Sequence, residues 1–306
     1  MRPEILHNSK LRLTVLPGLG ASVGGLELYR EGFWLPLLRP TSLAAVAAGA
    51  SPDTSSYILA PYSNRIREGR FSFRGRSYQL LPNWPDGEQT IHGEVHGRPW
   101  TVVERSEGLL VCHFNANNPQ ALNFPFRYTV RAVYWLGDSS LRMSLELTNT
   151  GEEAMPAGFG FHPYFVRRLG ASLDPLLSFR AARVYLTNGS RIPDEPPVPL
   201  PPGFDFSTPR PLGDAAFDHV FNGWDGSLSL EWPGIDVRLQ LEADPVFSHL
   251  VVFTAPDGTL ALEPVSHATD GFNLMDRGWP DTGVRVLEPG ESLAGEVRIK
   301  VRAEGW

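Results

Sequence analysis

Apolar and polar residues alternate with period two from one end of this chain to the other, the signature of half-buried β-strands. Leu11-Arg12-Leu13-Thr14-Val15 and residues 24–38 read as strands paired around Arg30-Glu31-Gly32. Phe71 and Phe73 alternate with polar residues, Arg74-Gly75-Arg76 turns, and Tyr78 and Leu80 return. The longest hairpin sets Phe126, Tyr128, Val130, Ala132 and Tyr134 against Leu141, Met143, Leu145 and Leu147 across Gly137-Asp138. Similar arms are Leu228, Leu230 and Trp232 against Val237, Leu239 and Leu241, and residues 250–253 against Leu260 and Leu262. Val297, Ile299 and Val301 close the chain as a last strand. Successive hairpins of this kind pack as antiparallel sheets face to face, so the pattern predicts an all-β protein, a large antiparallel β-sandwich.

Two segments break the alternation. Residues 41–50 are Ala-rich and predict a short helix or loop, and residues 193–211 are Pro-rich and predict a surface excursion. The strand pattern is the same on both sides of each, so residues 1–306 are expected to form a single domain.

Composition narrows the partners. The net charge is -7, with no Lys/Arg cluster interleaved with aromatics, which argues against nucleic acid. The one cysteine, Cys112, excludes an intrachain disulfide and lies in an apolar run, as a packed thiol does. No apolar signal core opens the chain and no segment approaches a membrane span, so a cytoplasmic protein without membrane contact is expected.

The chemistry-bearing residues depart from the sandwich pattern. In Gly158-Phe159-Gly160-Phe161-His162-Pro163-Tyr164-Phe165, an extended backbone sends the two phenylalanines to one side, and both glycines with His162 to the other. The missing side chains leave room for a ligand at the imidazole; the alternative is a core histidine among aromatics. Asn64-Arg65-Ile66 offers a planar fork of donors at a strand end, where an arginine is ordinarily a surface residue. His92 and His96 have metal-pair spacing, but Gly93, Gly97 and Pro99 argue against a helix, so no metal site is expected and His96 reads as a loop residue. Asp218 lies among aromatics that could partly bury it. Glu263 points away from Leu260 and Leu262, on a strand whose backbone Pro264 keeps extended.

Taken together, N-R-I, I-H-G followed by a Trp, G-F-H-P-Y-F, an Asp beside aromatics, and L-E-P resemble the aldose 1-epimerase (galactose mutarotase-like) family in order and approximate spacing, over about residues 63–273. The resemblance implies a galactose mutarotase-like supersandwich that binds a monosaccharide on a concave face, as a monomer or homodimer. It implies Glu263 as general base, His162 as general acid, and Arg65, His92, Asp218 and Asn64 as substrate-binding residues. A glutamate ionised at neutral pH and a histidine able to carry a proton near neutrality suit the opening and closing of a hemiacetal ring, for which no cofactor is needed. The alternatives are a hexose-6-phosphate 1-epimerase and a non-catalytic sugar-binding protein of the same fold. Trp84, Trp100 and Trp224 are the aromatics that could stack on a sugar.

Overall fold

The mid-chain hairpin forms the middle of the larger sheet. Strands Tyr128–Leu136 and Ser140–Asn149 pair along their whole length, so that Val130, Ala132 and Tyr134 meet Leu147, Leu145 and Met143 on one buried face. Leu109–Asn115 and Thr101–Ser106 extend the sheet one way. On the other side come Ser292–Ala303, Val237–Ala243, Ser227–Trp232, Leu176–Phe179 and Arg210–Pro211, making nine strands. This computed structural model describes residues 2–84, 86–118, 122–170, 172–187, 189 and 191–303.

A second sheet of eight strands packs against the first. It runs Val198–Pro199, Arg183–Tyr185, Asp218–Asn222, His249–Thr254, Thr259–Val265, Gly160–Phe161 and Ile58–Leu59, with Tyr164–Val166 also pairing onto Thr259–Val265. Leu145, Leu241 and Ile299 of the larger sheet share one core with Leu250, Leu262 and Phe161 of the smaller. Phe159 and Phe161 both pack on Phe247, at 5.2 and 6.2 Å between ring centroids. A four-stranded sheet from the N-terminal region adds Leu11, Leu13, Leu26 and Leu28 to that core.

The smaller sheet is apolar on both faces. Along Thr259–Val265, Leu260 and Leu262 enter the main core, whereas Ala261 and Val265 join a second cluster on the far face with Tyr57, Leu59, Tyr164, Tyr185, Val220 and Val251. All seven residues of that strand are therefore buried. A charged side chain enclosed within that cluster, as at position 263, is desolvated by its neighbours, which sets the electrostatics of the site.

Both interruptions have structure. Residues 41–50 contain the helix Leu43–Ala48, started by Ser42 Oγ, which accepts the Ala45 N–H at 3.0 Å, and ended by Gly49 in the left-handed region. The Pro-rich excursion is anchored: its short strands join an edge of each sheet, and fully buried Phe206 stacks on Phe179 at 5.1 Å. Cys112 is a packed thiol whose pKa burial pushes up to about 12.

Candidate functional site

Sheet register assembles the central pair. Gly160 lies opposite Val265 and Tyr164 opposite Ala261, so His162, between them, falls level with Glu263 on the neighbouring strand. Nε2 of His162 is 3.1 Å from Oε1 of Glu263. Both residues are almost fully enclosed, at 4% and 2% exposure. Burial raises the Glu263 carboxyl well above its usual range; the charge of Asp218 adds to this and that of Arg65 opposes it. Burial likewise holds the His162 imidazole well below its usual range, with the Arg39 guanidinium as the next cause. Both shifts disfavour the charged forms, which runs against the expectation of an ionised glutamate beside a readily protonated histidine.

Two tyrosines fix the ring of His162. Tyr57 stacks on it at 4.6 Å and Tyr164 at 4.5 Å, with interplanar angles of 25° and 26°. The backbone carbonyl of Tyr57 accepts the His162 N–H at 3.0 Å, and that of Ser55 accepts the Tyr164 N–H at 2.9 Å. Plane and height of the imidazole are thus set by residues 55–57 together with Tyr164.

The glycine side of residues 158–162 is not open to a ligand, contrary to the expectation from alternation. A Cβ on Gly158 would lie 1.9 Å from Cδ2 of His267, and one on Gly160 would lie 2.8 Å from the carbonyl oxygen of Pro264. The absent side chains admit the protein itself. His267 is the enclosed structural histidine: its Nε2 accepts the Ser63 N–H at 3.0 Å, so Nδ1 carries the proton and donates to the Ala268 carbonyl at 2.7 Å. Burial holds its pKa down to about 4.

The other motif residues lie on the same side. Asn64 and His92 both adopt left-handed backbone, φ 56° and 63°, which disfavours residues with a Cβ by roughly 1–2 kcal/mol each. They support each other: the Asn64 N–H donates to Nδ1 of His92 at 3.1 Å, and the His92 N–H donates to the Asn64 carbonyl at 2.9 Å. A backbone N–H can only donate, so neutral His92 carries its proton on Nε2, and burial keeps it neutral. Next in sequence, Gly93 must be glycine, because a Cβ there would lie 1.9 Å from the Ala60 oxygen. Asn64 Oδ1 accepts from the Arg65 backbone N–H at 2.8 Å and from its guanidinium at 3.1 Å, so its side chain serves to position Arg65. Arg65 Nε also donates to Gln89 at 2.6 Å. Asp218 is half-buried, on the far-face row that runs Tyr164, Ala261, Phe253, Asp218 across the sheet, and Arg191 Nε lies 3.4 Å from its carboxylate.

Several neighbours escape sequence reasoning. His96 is no ordinary loop residue: it is buried, bonded through Nδ1 to Ser51 Oγ at 2.6 Å, and 5.4 Å from the Tyr57 ring. Its four-residue spacing from His92 was the available signal. Of the three tryptophans, Trp100 and Trp224 are core residues, whereas half-buried Trp84 lies 5.6 Å from His92 at the second cluster, where Trp279 also packs. Tyr164 could be found from its two-residue offset to His162, which gives both one face of a strand; Tyr57, Arg39 and Arg191 carry no comparable signal. Among the described residues no group of three or more His, Cys, Asp or Glu could hold a metal ion, and no helix is long and apolar enough to cross a membrane.

Comparison with known proteins agrees with this architecture. The Escherichia coli K12 protein YphB, itself uncharacterised, is 30% identical over 282 residues, covering 89% of this chain and 91% of its own. A crystal structure of an Escherichia coli K12 protein proposed to be an aldose 1-epimerase superposes with a TM-score of 0.84 at 27% identity, covering 99% of both chains. A galactose mutarotase-like protein from Clostridium acetobutylicum shares the fold, with a TM-score of 0.86 at 17% identity and coverage of 99% and 98%. The family model described as aldose 1-epimerase matches residues 7–300. With the match running through nearly every strand of both sheets, the chain belongs to the aldose 1-epimerase family.

Proposed function

We propose that the protein is an aldose 1-epimerase that interconverts the α and β anomers of a free, neutral aldose, with Glu263 and His162 as its acid–base pair. The observation that carries this reading is the 3.1 Å separation of His162 Nε2 and Glu263 Oε1 within a desolvated aromatic face. The anomeric and ring oxygens of a pyranose are both bonded to C1. A donor and an acceptor this close can serve both.

In this mechanism the pair shares the one proton the reaction needs. With that proton on the imidazole, the pair is a carboxylate base and an imidazolium acid. Glu263 then removes the proton of the anomeric hydroxyl, the bond from C1 to the ring oxygen breaks, and His162 protonates that oxygen. The aldehyde turns about C1–C2, and the steps reverse on its other face. No group, electron pair or water is lost, and each positioned acid or base contributes about 10²–10⁴-fold. Arg65, with its charge near Glu263, favours the carboxylate in this exchange. His92, through Nε2–H, together with Arg65 and Asp218, would hold ring hydroxyls.

The rivals explain less. A binding module has no use for a buried acid and base, whose desolvation is unfavourable. In a glycoside hydrolase the two carboxyl groups flank one bond. Asp218 is two strands and two residues away from the point opposite Glu263, roughly 12 Å across the sheet. A hexose-6-phosphate epimerase would need free cations, but the arginines near Asn64 are engaged: Arg67 with Asp194 at 2.7 Å, Arg74 with Glu288 at 2.5 Å, Arg76 with Glu153 at 2.9 Å, and Arg70 with Ser77 at 3.0 Å. Anomer exchange measured by NMR should therefore give a higher kcat/KM for glucose or galactose than for glucose 6-phosphate. A tenfold preference for the phosphate that disappears in Arg67→Ala or Arg70→Ala would make the protein a sugar-phosphate epimerase.

A further inference from the structure

Behind the His162–Glu263 pair lies a charged group that no motif marks. The Arg39 guanidinium is centred 3.7 Å over the ring of Tyr164, whose ring also stacks on His162 at 4.5 Å. Two planar groups at these separations cannot share one face of a phenol ring, so the three stack in the order Arg39, Tyr164, His162. Arg39 is held from several sides. It donates to Asp257 Oδ2 at 2.9 Å and to the carbonyls of Pro52 and Thr54, each at 2.6 Å, while its backbone N–H donates to the Tyr164 carbonyl at 2.8 Å. Its side chain is only 16% exposed, so water screens its charge weakly.

We propose that Arg39, acting through Tyr164, is a positioning residue that fixes the imidazole of His162 and disfavours its protonated form, so that the proton shared with Glu263 can be returned to the carboxyl after each turn of the reaction. This rests on the mutarotase reading of the pair. The need for such a residue follows from chemistry: on ring closure His162 takes up a proton that must leave it again, and a fixed cation nearby promotes that return to the carboxyl. Of the other groups facing His162, only Arg65 carries a fixed positive charge. Glu263 is its hydrogen-bond partner, Tyr57 and Tyr164 are neutral phenols with raised pKa values, and His92 and His96 are kept neutral by burial. Arg65 is the other cation, and its contribution to His162 ranks below that of Arg39. The Asp257 carboxylate behind Arg39 moderates the charge.

The test is the apparent titration midpoint of His162, followed by NMR in protein labelled at histidine and assigned with a His162→Asn spectrum. In Arg39→Gln the midpoint should rise by about half a pH unit or more, and the acid limb of kcat/KM for the best neutral aldose should move the same way. Arg39→Lys, which keeps the charge, should stay close to the parental midpoint. An unchanged midpoint in Arg39→Gln, or an equal shift in Arg39→Lys, overturns the proposal, the latter because it would reveal a packing role only. If Arg39→Gln does not fold, Asp257→Asn decides: removing the counter-charge should lower the midpoint, and no movement overturns the idea. The NMR midpoint does not depend on turnover. An inactive parental protein would therefore contradict the mutarotase reading while the midpoint still decides the role of Arg39.

Discussion

At the scale of single residues, burial decides more than residue type. A glutamate and a histidine read from sequence carry their solution charges; placed 3.1 Å apart among Tyr57, Tyr164 and Val251, both are shifted towards their neutral forms. The identity of the pair was legible because H-P-Y-F and L-E-P are distinctive words, whereas its charge state depends on side chains from several separate segments and is written in none of them. The same limit applies to the tryptophans. All three look alike in sequence, and only the fold shows that Trp100 and Trp224 spend their surface in the core while Trp84 borders His92. We expect Trp84→Ala to raise KM for the sugar by about 3- to 10-fold, the loss of one aromatic contact, with a smaller effect on kcat. A drop confined to kcat would remove Trp84 from the binding surface.

At the scale of elements, hairpins were legible and packing at the glycines was not. Period two survives in arms such as Tyr128–Leu136, Ser140–Asn149 and Ser227–Trp232 because one face of each meets the main core, whereas Thr259–Val265 is buried on both faces. In residues 158–162 the same alternation correctly sends Phe159 and Phe161 to the core, but it cannot say what occupies the space above Gly158. The occupant is His267, far away in sequence and held there by Ser63 and Ala268. Gly158→Ala should therefore destabilise the protein by roughly 1–3 kcal/mol, as overpacking does, read from the urea midpoint. Combining it with His267→Ala should give less than the sum of the two single effects. Strict additivity would mean that the two residues do not compete for the space.

At the scale of the whole molecule, buried histidines couple stability to pH. His96 and His267 have pKa values of about 4, His249 of about 3, and His92 and His162 are also lowered, in each case mainly by burial. An unfolded histidine takes up its proton near pH 6.5, so between there and about 4 the unfolded chain binds more protons and stability falls as pH falls. A tenfold difference in proton affinity between the folded and unfolded chain is worth about 1.4 kcal/mol, which makes the loss about 3 kcal/mol for His96 and again for His267. Buried Glu94, Glu263 and Asp270 have raised pKa values and act in the opposite direction in this window; with half-buried His219 lowered as well, the histidines are expected to dominate. The urea midpoint should drop steadily below about pH 6.5, and a flat or rising midpoint down to about pH 4.5 would contradict this balance. The architecture itself was foreseeable from alternation, since a chain of hairpins has few other ways to cover its apolar faces. The proposed activity rests on Glu263 and His162 working as one unit, and the most direct measurement is the polarimetric relaxation of freshly dissolved α-D-glucose and α-D-galactose. The parental protein should speed the approach to equilibrium for at least one of them, with Glu263→Gln and His162→Asn each lowering kcat by at least about two orders of magnitude while remaining folded. Epimerisation by either variant at near the parental rate would contradict the account.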